Sequence, residues 1–363
     1  VYLKKKLVSG EVAFLAELES DRYIFQPAQL RVGDVKCEIA GTVNDKTSGT
    51  FGFQIKAKNQ SIDDALKVFP PAVARKLLSY HLDGDFSASA EVSRNKPDSP
   101  VRVRADVSVE DGSLRLKEQG VSLENIETNF QYERGGKEDK VQVDAFKCEL
   151  DASTIQASGS IIGFDTPQLK ATLSAEAELN DLREFFDLSQ LVVCEGKLLV
   201  KADLNGVLRY VEADTSYNWR DVLATGEASL SSASIKPKNS NRMFSEMQAN
   251  LSFDKQDVKV NAFKGLVNGS DFAIDGTLRN LIPYLFDPQS RVYLEANLKS
   301  SLIDFTQLVE EENSTEAQSE YELLLPPFID FTLNCAIDKF TFRKFEAEKV
   351  NGVITLSYDK LTI

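Results

Sequence analysis

The stretch LKATLSAEAEL, residues 169–179, indicates the fold class, because apolar and polar residues alternate along most of its length. A period of two places successive side chains on opposite faces of a β-strand. One face of such a strand is apolar and the other polar, which is typical of antiparallel sheets with one solvated face. The same alternation occurs at 51–57, 86–92, 101–109 and 292–298. We therefore predict a mainly β fold of antiparallel strands.

Similarity between distant segments indicates that these strands form repeats. Residues 145–159 resemble 262–276: each segment begins with AFK and ends with Gly, and the two are 117 residues apart. Residues 125–133 likewise resemble 246–254, and 350–356 resemble the opening of a further copy. We predict a unit of about 120 residues with about eight to ten strands, which would extend the sheet by about 48 Å at the usual strand spacing.

Short helix-like segments follow the strand runs at 61–66, 180–186 and 304–308. Each starts with Ser, Asn or Asp, whose side chains accept hydrogen bonds from the free N–H groups of a first helical turn. Glycine then opens a new alternating strand after the first two segments, at Gly84 and Gly196. Short amphipathic helices are therefore predicted between the repeats.

The expected domains follow from this pattern. They are a first repeat with its closing helix at 1–80, a second repeat with its helix at 81–190, a third at 191–309, an acidic linker at 310–322 and the start of a further repeat at 323–363. The pattern is already under way at Val1 and is interrupted at Ile363, so we expect a fragment of a longer protein.

Composition limits the classes of function. The net charge of −14 disfavours a sequence-independent grip on nucleic acid, which needs clustered Lys and Arg. No apolar run approaches the length of a membrane span. Four cysteines stand far apart, and three of them alternate with apolar residues. They are expected to be small buried side chains, with a disulfide or a metal site as alternatives; the four are Cys37, Cys148, Cys194 and Cys335.

The sequence offers little for catalysis. His81 is the single histidine, and no nucleophile elbow, phosphate-binding loop or zinc-protease motif accompanies it. We interpret His81 as structural and expect no enzyme, no metal and no cofactor. The aromatic residues Tyr210, Tyr217 and Trp219 suggest a sugar platform, but core or edge packing is the favoured interpretation.

The order of these motifs resembles a known family. A meander ends in an apolar-x-Gly-x-apolar strand at 155–161, a further strand follows, and a helix begins at the LNDL of 179–182. Together with 57–66 and 82–86, this resembles the AsmA family, most closely its C-terminal region in Bacteroidetes-type envelope proteins. The resemblance covers nearly the whole chain and rests on spacing rather than on a catalytic motif.

The resemblance implies a fold, a location and a cargo. Relatives of the TamB-like lipid transfer proteins form an elongated, curved antiparallel sheet, a groove with an apolar floor. The expected function is to bind or convey phospholipid or lipopolysaccharide-like lipid between inner and outer membrane, in support of outer-membrane biogenesis. The location is the periplasm, and the parent protein is anchored in the inner membrane. The lipid-contacting candidates are apolar residues of the alternating strands: Phe51, Phe53, Ile55, Leu169, Leu173, Val292, Leu294 and Leu298.

Two other functions remain open from the sequence. A non-catalytic periplasmic scaffold would pair its open edge strands with outer-membrane assembly proteins and carry no lipid. A carbohydrate-processing or carbohydrate-binding β-protein would need a cleft with two opposed carboxylates and exposed aromatic rings. For each candidate residue taken singly, ordinary packing within the core is the competing explanation.

Overall fold

The computed structural model describes most of the chain: residues 7–44, 49–68, 80–116, 121–211, 216–238, 240–281, 284, 290–308, 328–357 and 360–362. The chain forms two compact units, Val1–Ala171 and Thr172–Ile363. Strands dominate the described part of both units, and the helices are short. The prediction of a mainly β fold with short helices is confirmed.

The first unit is a run of strands with one helix whose bounds are described. Its elements are β1 (Val8–Gly10), β2 (Phe14–Glu17), β3 (Arg22–Val32), β4 (Val35–Asn44), β5 (Thr50–Ser61), α1 (Ile62–Val68), β6 (Tyr80–Arg94), β7 (Arg102–Leu116), β8 (Ser122–Arg134), β9 (Lys140–Leu150) and β10 (Ser153–Ile162). Strand β11 (Gln168–Glu178) begins in this unit and ends in the next.

The second unit continues the pattern. After β11 come α2 (Leu179–Phe185), β12 (Leu191–Val211), β13 (Ser216–Pro237), β14 (Phe244–Lys255), β15 (Asp257–Val267), β16 (Ser270–Arg279), β17 (Val292–Asp304), α3 (Phe305–Leu308), β18 (Ile329–Phe342), β19 (Phe345–Ser357) and β20 (Lys360–Thr362).

Consecutive strands pair in antiparallel fashion in the first unit, from β3 through β10. Strands β1 and β2 both pair with β3, with Val8 opposite Val32 and Phe14 opposite Phe25. Because facing residues in a ladder lie on the same side of the sheet, the period-two sequence pattern adds up to one apolar and one polar face.

Strands β12 through β17 are also antiparallel neighbours, but β17 and β18 pair in parallel. The β17–β18 pair thus departs from the antiparallel pairing of the other strands named above. A parallel pair needs a long crossover rather than a tight turn, and residues 305–328 between these strands provide it. Part of that crossover is the acidic stretch 310–322, which lies outside the described residues.

The repeat contains fewer strands than the sequence suggested. The first full repeat runs from β6 through β11 and closes with α2, and the second runs from β12 through β17 and closes with α3. Each therefore has six strands instead of eight to ten, because single strands such as β12 and β13 are longer than typical strands. Six strands correspond to about 29 Å of sheet instead of about 48 Å. The domain boundaries assigned from the sequence stay a prediction.

The same backbone irregularities recur in both repeats. Gly84 and Gly196 adopt positive φ angles of 118° and 122° at register shifts in β6 and β12. A Cβ atom at Gly84 would meet the backbone of Gly112 at 2.7 Å, and one at Gly196 would meet Ala233 at 2.5 Å. Bulges of this kind bend a strand and redirect its side chains. The glycines that open each repeat are thus required by backbone geometry.

Helices α2 and α3 start in different ways. Asp304 caps α3, because its Oδ1 accepts a hydrogen bond from the backbone N–H of Thr306 at 3.1 Å. Helix α2 begins one residue earlier than expected, at Leu179, and its N-cap Glu178 makes no side-chain capping bond. Asn180 therefore lies inside the first turn, so its predicted capping role is wrong.

Candidate functional site

A glycine recurs on the strand before the last one of each repeat, and it marks the candidate site. Gly41, Gly159 and Gly276 lie in β4, β10 and β16, where an added Cβ would overlap the backbone carbonyl oxygen of the neighbouring strand. Glycine inside a strand often marks such a close backbone approach. The residues beside these glycines on β5, β11 and β17 are Phe53, Ala171 and Ala296.

Six of the eight predicted lipid-contacting residues flank Phe53, Ala171 and Ala296, the residues that we call the glycine partners; Phe53 is a partner itself, and Val292 lies four residues before Ala296. Two residues before the glycine partner stand Phe51, Leu169 and Leu294. Two residues after it stand Ile55, Leu173 and Leu298. Since strand side chains alternate, all six lie on the same face as the glycine partner of their own strand. The six candidates therefore occupy two positions of the repeat, and each of β5, β11 and β17 contributes one residue at each position.

Burial differs among the candidates. Leu169 and Val292 are buried, at 9% and 2% exposure. The other six are half-buried: Phe51, Phe53, Ile55, Leu173, Leu294 and Leu298. Large apolar side chains inside a packed core are usually close to fully buried. Neighbouring strands therefore cover the sides of these six side chains, while the outer surface of each side chain stays accessible.

The opposite face of the same strands is polar. In β5, Gln54 and Lys56 alternate with the apolar candidates and are exposed. In β17, Arg279 of the neighbouring strand donates a hydrogen bond to Glu295 at 2.8 Å, and Asn297 donates one to Asp275 at 2.9 Å. This division explains how the sheets stay hydrated on one side and present apolar surface on the other.

An aromatic row crosses the apolar face of the first unit, and most of it was not expected from the sequence. The ring of Phe14 lies 5.8 Å from that of Phe25, which lies 5.6 Å from that of Phe53. Phe53 lies 6.2 Å from Phe51. The absence of a side chain at Gly41, between Phe25 and Phe53, lets those two rings meet. Only strand register reveals that Phe14 and Phe25 join this row.

Arg94 ends the aromatic row and was also missed. It faces Phe51 in the register of β5 and β6, and its guanidinium carbon lies 5.6 Å from the ring centroid. The alternation at 86–92 gave the signal, since one further step of two residues reaches Arg94. A shallow depression of about 450 Å³ adjoins Phe51, with Tyr23 and Val43 also in its wall.

The cysteines are free thiols, and three of the four are buried. Cys148, Cys194 and Cys335 are therefore small buried side chains as expected, while Cys37 is half-buried. Burial raises the pKa of all four thiols, which keeps them protonated and poorly nucleophilic at neutral pH.

His81 is exposed in β6. In the described ranges, no group of three His, Cys, Asp or Glu side chains is arranged to hold a metal ion. The side chains of Tyr210, Tyr217 and Trp219 lie outside the described part of the structure. The structure also has no helix long and apolar enough to cross a membrane within its described residues.

Comparison with family models, curated proteins and solved structures finds no match to this chain. The class of the molecule is therefore defined by its fold alone: a repetitive, mainly β protein whose strands present one apolar and one polar face.

Proposed function

We propose that this chain binds the acyl chains of lipids on the apolar faces of its sheets and conveys lipid along them. The observation that carries the proposal is the half-burial of Phe51, Phe53 and Ile55 in the first unit, and of Leu294 and Leu298 in the second. These side chains keep accessible apolar surface while the other face of each strand is polar. Exposed apolar surface beyond single scattered residues is typical of interaction sites.

The energetics favour a lipid tail as the occupant. Burial of an acyl chain contributes about 0.8 kcal/mol for each methylene group, so a sixteen-carbon tail gains about 12 kcal/mol. A lipid that leaves a membrane without a carrier gives up that stabilisation when its tail enters water. The apolar side chains on the strands of each unit offset most of this loss, because the tail exchanges one apolar surface for another.

The resemblance to the AsmA family supplies the setting of the proposal. In that setting the chain is a non-catalytic periplasmic segment whose parent protein is anchored in the inner membrane. Its cargo is phospholipid or lipopolysaccharide-like lipid on the way between the two membranes, and its role is outer-membrane biogenesis.

Native mass spectrometry of the protein purified from a Gram-negative host tests the proposal. We expect co-purified lipid, and we expect Ile55→Glu to lose it, because a carboxylate on the apolar face opposes an acyl chain. Gln54→Glu is the matched control, since Gln54 is the exposed neighbour on the polar face of the same strand. A folded wild-type protein that carries no lipid and takes up none from vesicles would contradict the proposal.

A second candidate function is a scaffold without lipid cargo. Strand β2 favours it, because Phe14 and Leu15 are exposed there at 59% and 55% on opposite sides of the strand. Exposed apolar strands near a sheet edge are templates for pairing with another chain. A lipid-free protein that nevertheless binds outer-membrane assembly proteins through β2 would favour the scaffold.

A further inference from the structure

The aromatic row of the first unit ends at a positive charge. Arg94 lies on the apolar face, two residues beyond Val92 in β6 and opposite Phe51 in β5. The carbon of its guanidinium lies 5.6 Å from the centroid of the Phe51 ring. The position that matches Arg94 in the second repeat is Gly206, at the same 112-residue separation as Gly84 and Gly196. The charge is therefore specific to the first unit.

One nitrogen of this side chain has no hydrogen-bond partner among the described residues. The Nε atom of Arg94 is buried, and within the described ranges no hydrogen-bond acceptor lies near it. Buried polar groups are nearly always hydrogen-bonded, so the unpaired Nε shows that the described residues leave the Arg94 guanidinium incompletely satisfied. The guanidinium is well suited to phosphate, because its planar N–H groups pair with two oxygens at once.

We propose that Arg94 binds the phosphate of an anionic phospholipid whose acyl chain lies along the aromatic row. This inference rests on the proposed function and adds the headgroup and its position. The row Phe51, Phe53 and Phe25 supplies the apolar contact, and the depression beside Phe51 supplies space next to the headgroup. Asp21 also lines that depression, but it precedes β3, about three strand spacings or about 14 Å from β6.

The test compares the binding of phosphatidylglycerol and of diacylglycerol, which has the same acyl chains but no phosphate, to the full chain. Each lipid, dispersed in a mild detergent, is incubated with the protein, and the lipid that remains bound after gel filtration is quantified by mass spectrometry. We expect the wild type to bind phosphatidylglycerol about tenfold more tightly, since a charge-assisted hydrogen bond is worth about 1.5 kcal/mol or more. Raising the salt concentration should reduce this preference.

Arg94→Met keeps an unbranched stem against Phe51 and removes the charge. It should bind both lipids with the affinity that the wild type has for diacylglycerol. Arg94→Lys should retain part of the preference, and it serves as the second variant if Arg94→Met does not fold. Arg104→Met is the matched control, because Arg104 is exposed on the neighbouring strand β7 and leaves the row intact. It should keep the full preference.

The two proposals fail in different ways. Equal binding of both lipids by the wild type, or a preference that survives in a folded Arg94→Met variant, would overturn the role of Arg94 and leave acyl-chain binding in place. Stronger binding of free oleate than of phosphatidylglycerol would also overturn the assignment to phospholipid. No retention of any lipid by the folded wild type would overturn both proposals.

Discussion

Matching positions of the two units differ in burial. In the second unit, Ala224 and Val258 are buried at 2% and 0% exposure and form a cluster with partly buried neighbours. The positions that match them in the first unit by the repeat separations of 121 and 117 residues are Val103 and Val141, and both are half-buried. The strands alternate in the same way in both units, so a part of the chain outside these strands causes the difference in burial.

We infer that the connection before the last strand of each repeat causes the difference in burial. In the second unit, residues 280–291 connect β16 to β17, and Leu281 packs on the cluster around Val258. In the first unit, the connection is residues 163–167, and its matching residue Phe164 stacks on Tyr132 at 6.0 Å between ring centroids. Alternation in the sequence therefore creates an apolar face. The length and packing of the connection before the last strand determine how much of that face stays accessible.

The largest expected effect concerns what both repeats share. Gly276→Ala should lower the free energy of unfolding by about 3 kcal/mol, because the new methyl group would overlap the backbone carbonyl of Glu295. Gly159→Ala should cost a similar amount, because it meets the carbonyl of Lys170. Urea denaturation measures both.

Gly352→Ala is the matched control for the glycine variants. No atom lies within 4 Å of a Cβ at this strand position, so the substitution should be neutral or slightly stabilising. If Gly276→Ala proved as stable as Gly352→Ala, the close strand approach would not be a requirement of the repeat.

The next effect tests the covering residue. Leu281→Ala should cost about 2 kcal/mol, because it uncovers the cluster around Ala224 and Val258. It should also increase the binding of a hydrophobic dye to the second unit. Phe164→Ala should cost only about 1 kcal/mol, since it removes one stacked ring pair from a face that is already half-exposed. Equal costs, or an unchanged dye signal, would contradict the assigned role of the connection.

A smaller effect concerns a contact found at this point only in the second repeat. The Asp271 carboxylate accepts hydrogen bonds from the backbone N–H groups of Ser301 and Leu302, at 3.0 and 2.9 Å. Burial alone would raise the pKa of Asp271, but these bonds and those from nearby serine hydroxyls outweigh it and lower the pKa. We expect Asp271→Ala to cost about 1 kcal/mol at neutral pH.

The pH dependence of this contact has a definite sign. Because the folded-state pKa of Asp271 is depressed, its stabilisation is fully present above the unfolded value of about 3.9 and is lost as pH falls through the folded value. The stability difference between wild type and Asp271→Ala should therefore shrink below about pH 4. Thr154→Ala, at the matching position of the first repeat, should show no such pH dependence. A difference that stays constant down to acidic pH would contradict the role of the carboxylate.

The sequence predicted where strands occur better than it predicted the number of strands in each repeat or the residues that cover their apolar face. Alternation such as that of 169–179 identified strands and their apolar side, since that property is local. The six-strand repeat was missed, because nothing local shows that β12 continues unbroken from Leu191 to Val211. The parallel pairing of β17 and β18 was missed for the same reason, since strand direction depends on where the crossover leads.

The candidate site shows the same limit. Phe51 and Ile55 were identified from periodicity, and strand register explains why they match Leu294 and Leu298. The joining of Phe25 to their face depends on register across β3, β4 and β5, which the sequence alone does not give.

Photo-crosslinking of a phospholipid with a diazirine in its acyl chain would locate bound acyl chains on this protein. After irradiation of the full chain, tandem mass spectrometry locates the labelled residues. We expect labels on the accessible apolar face of the first unit, at Phe51, Phe53, Ile55 and Val92. Few labels are expected at Ala224 and Val258, which are covered. Labels on the polar face at Gln54 and Lys56, equal labelling of the covered cluster, or no label at all would contradict this expectation.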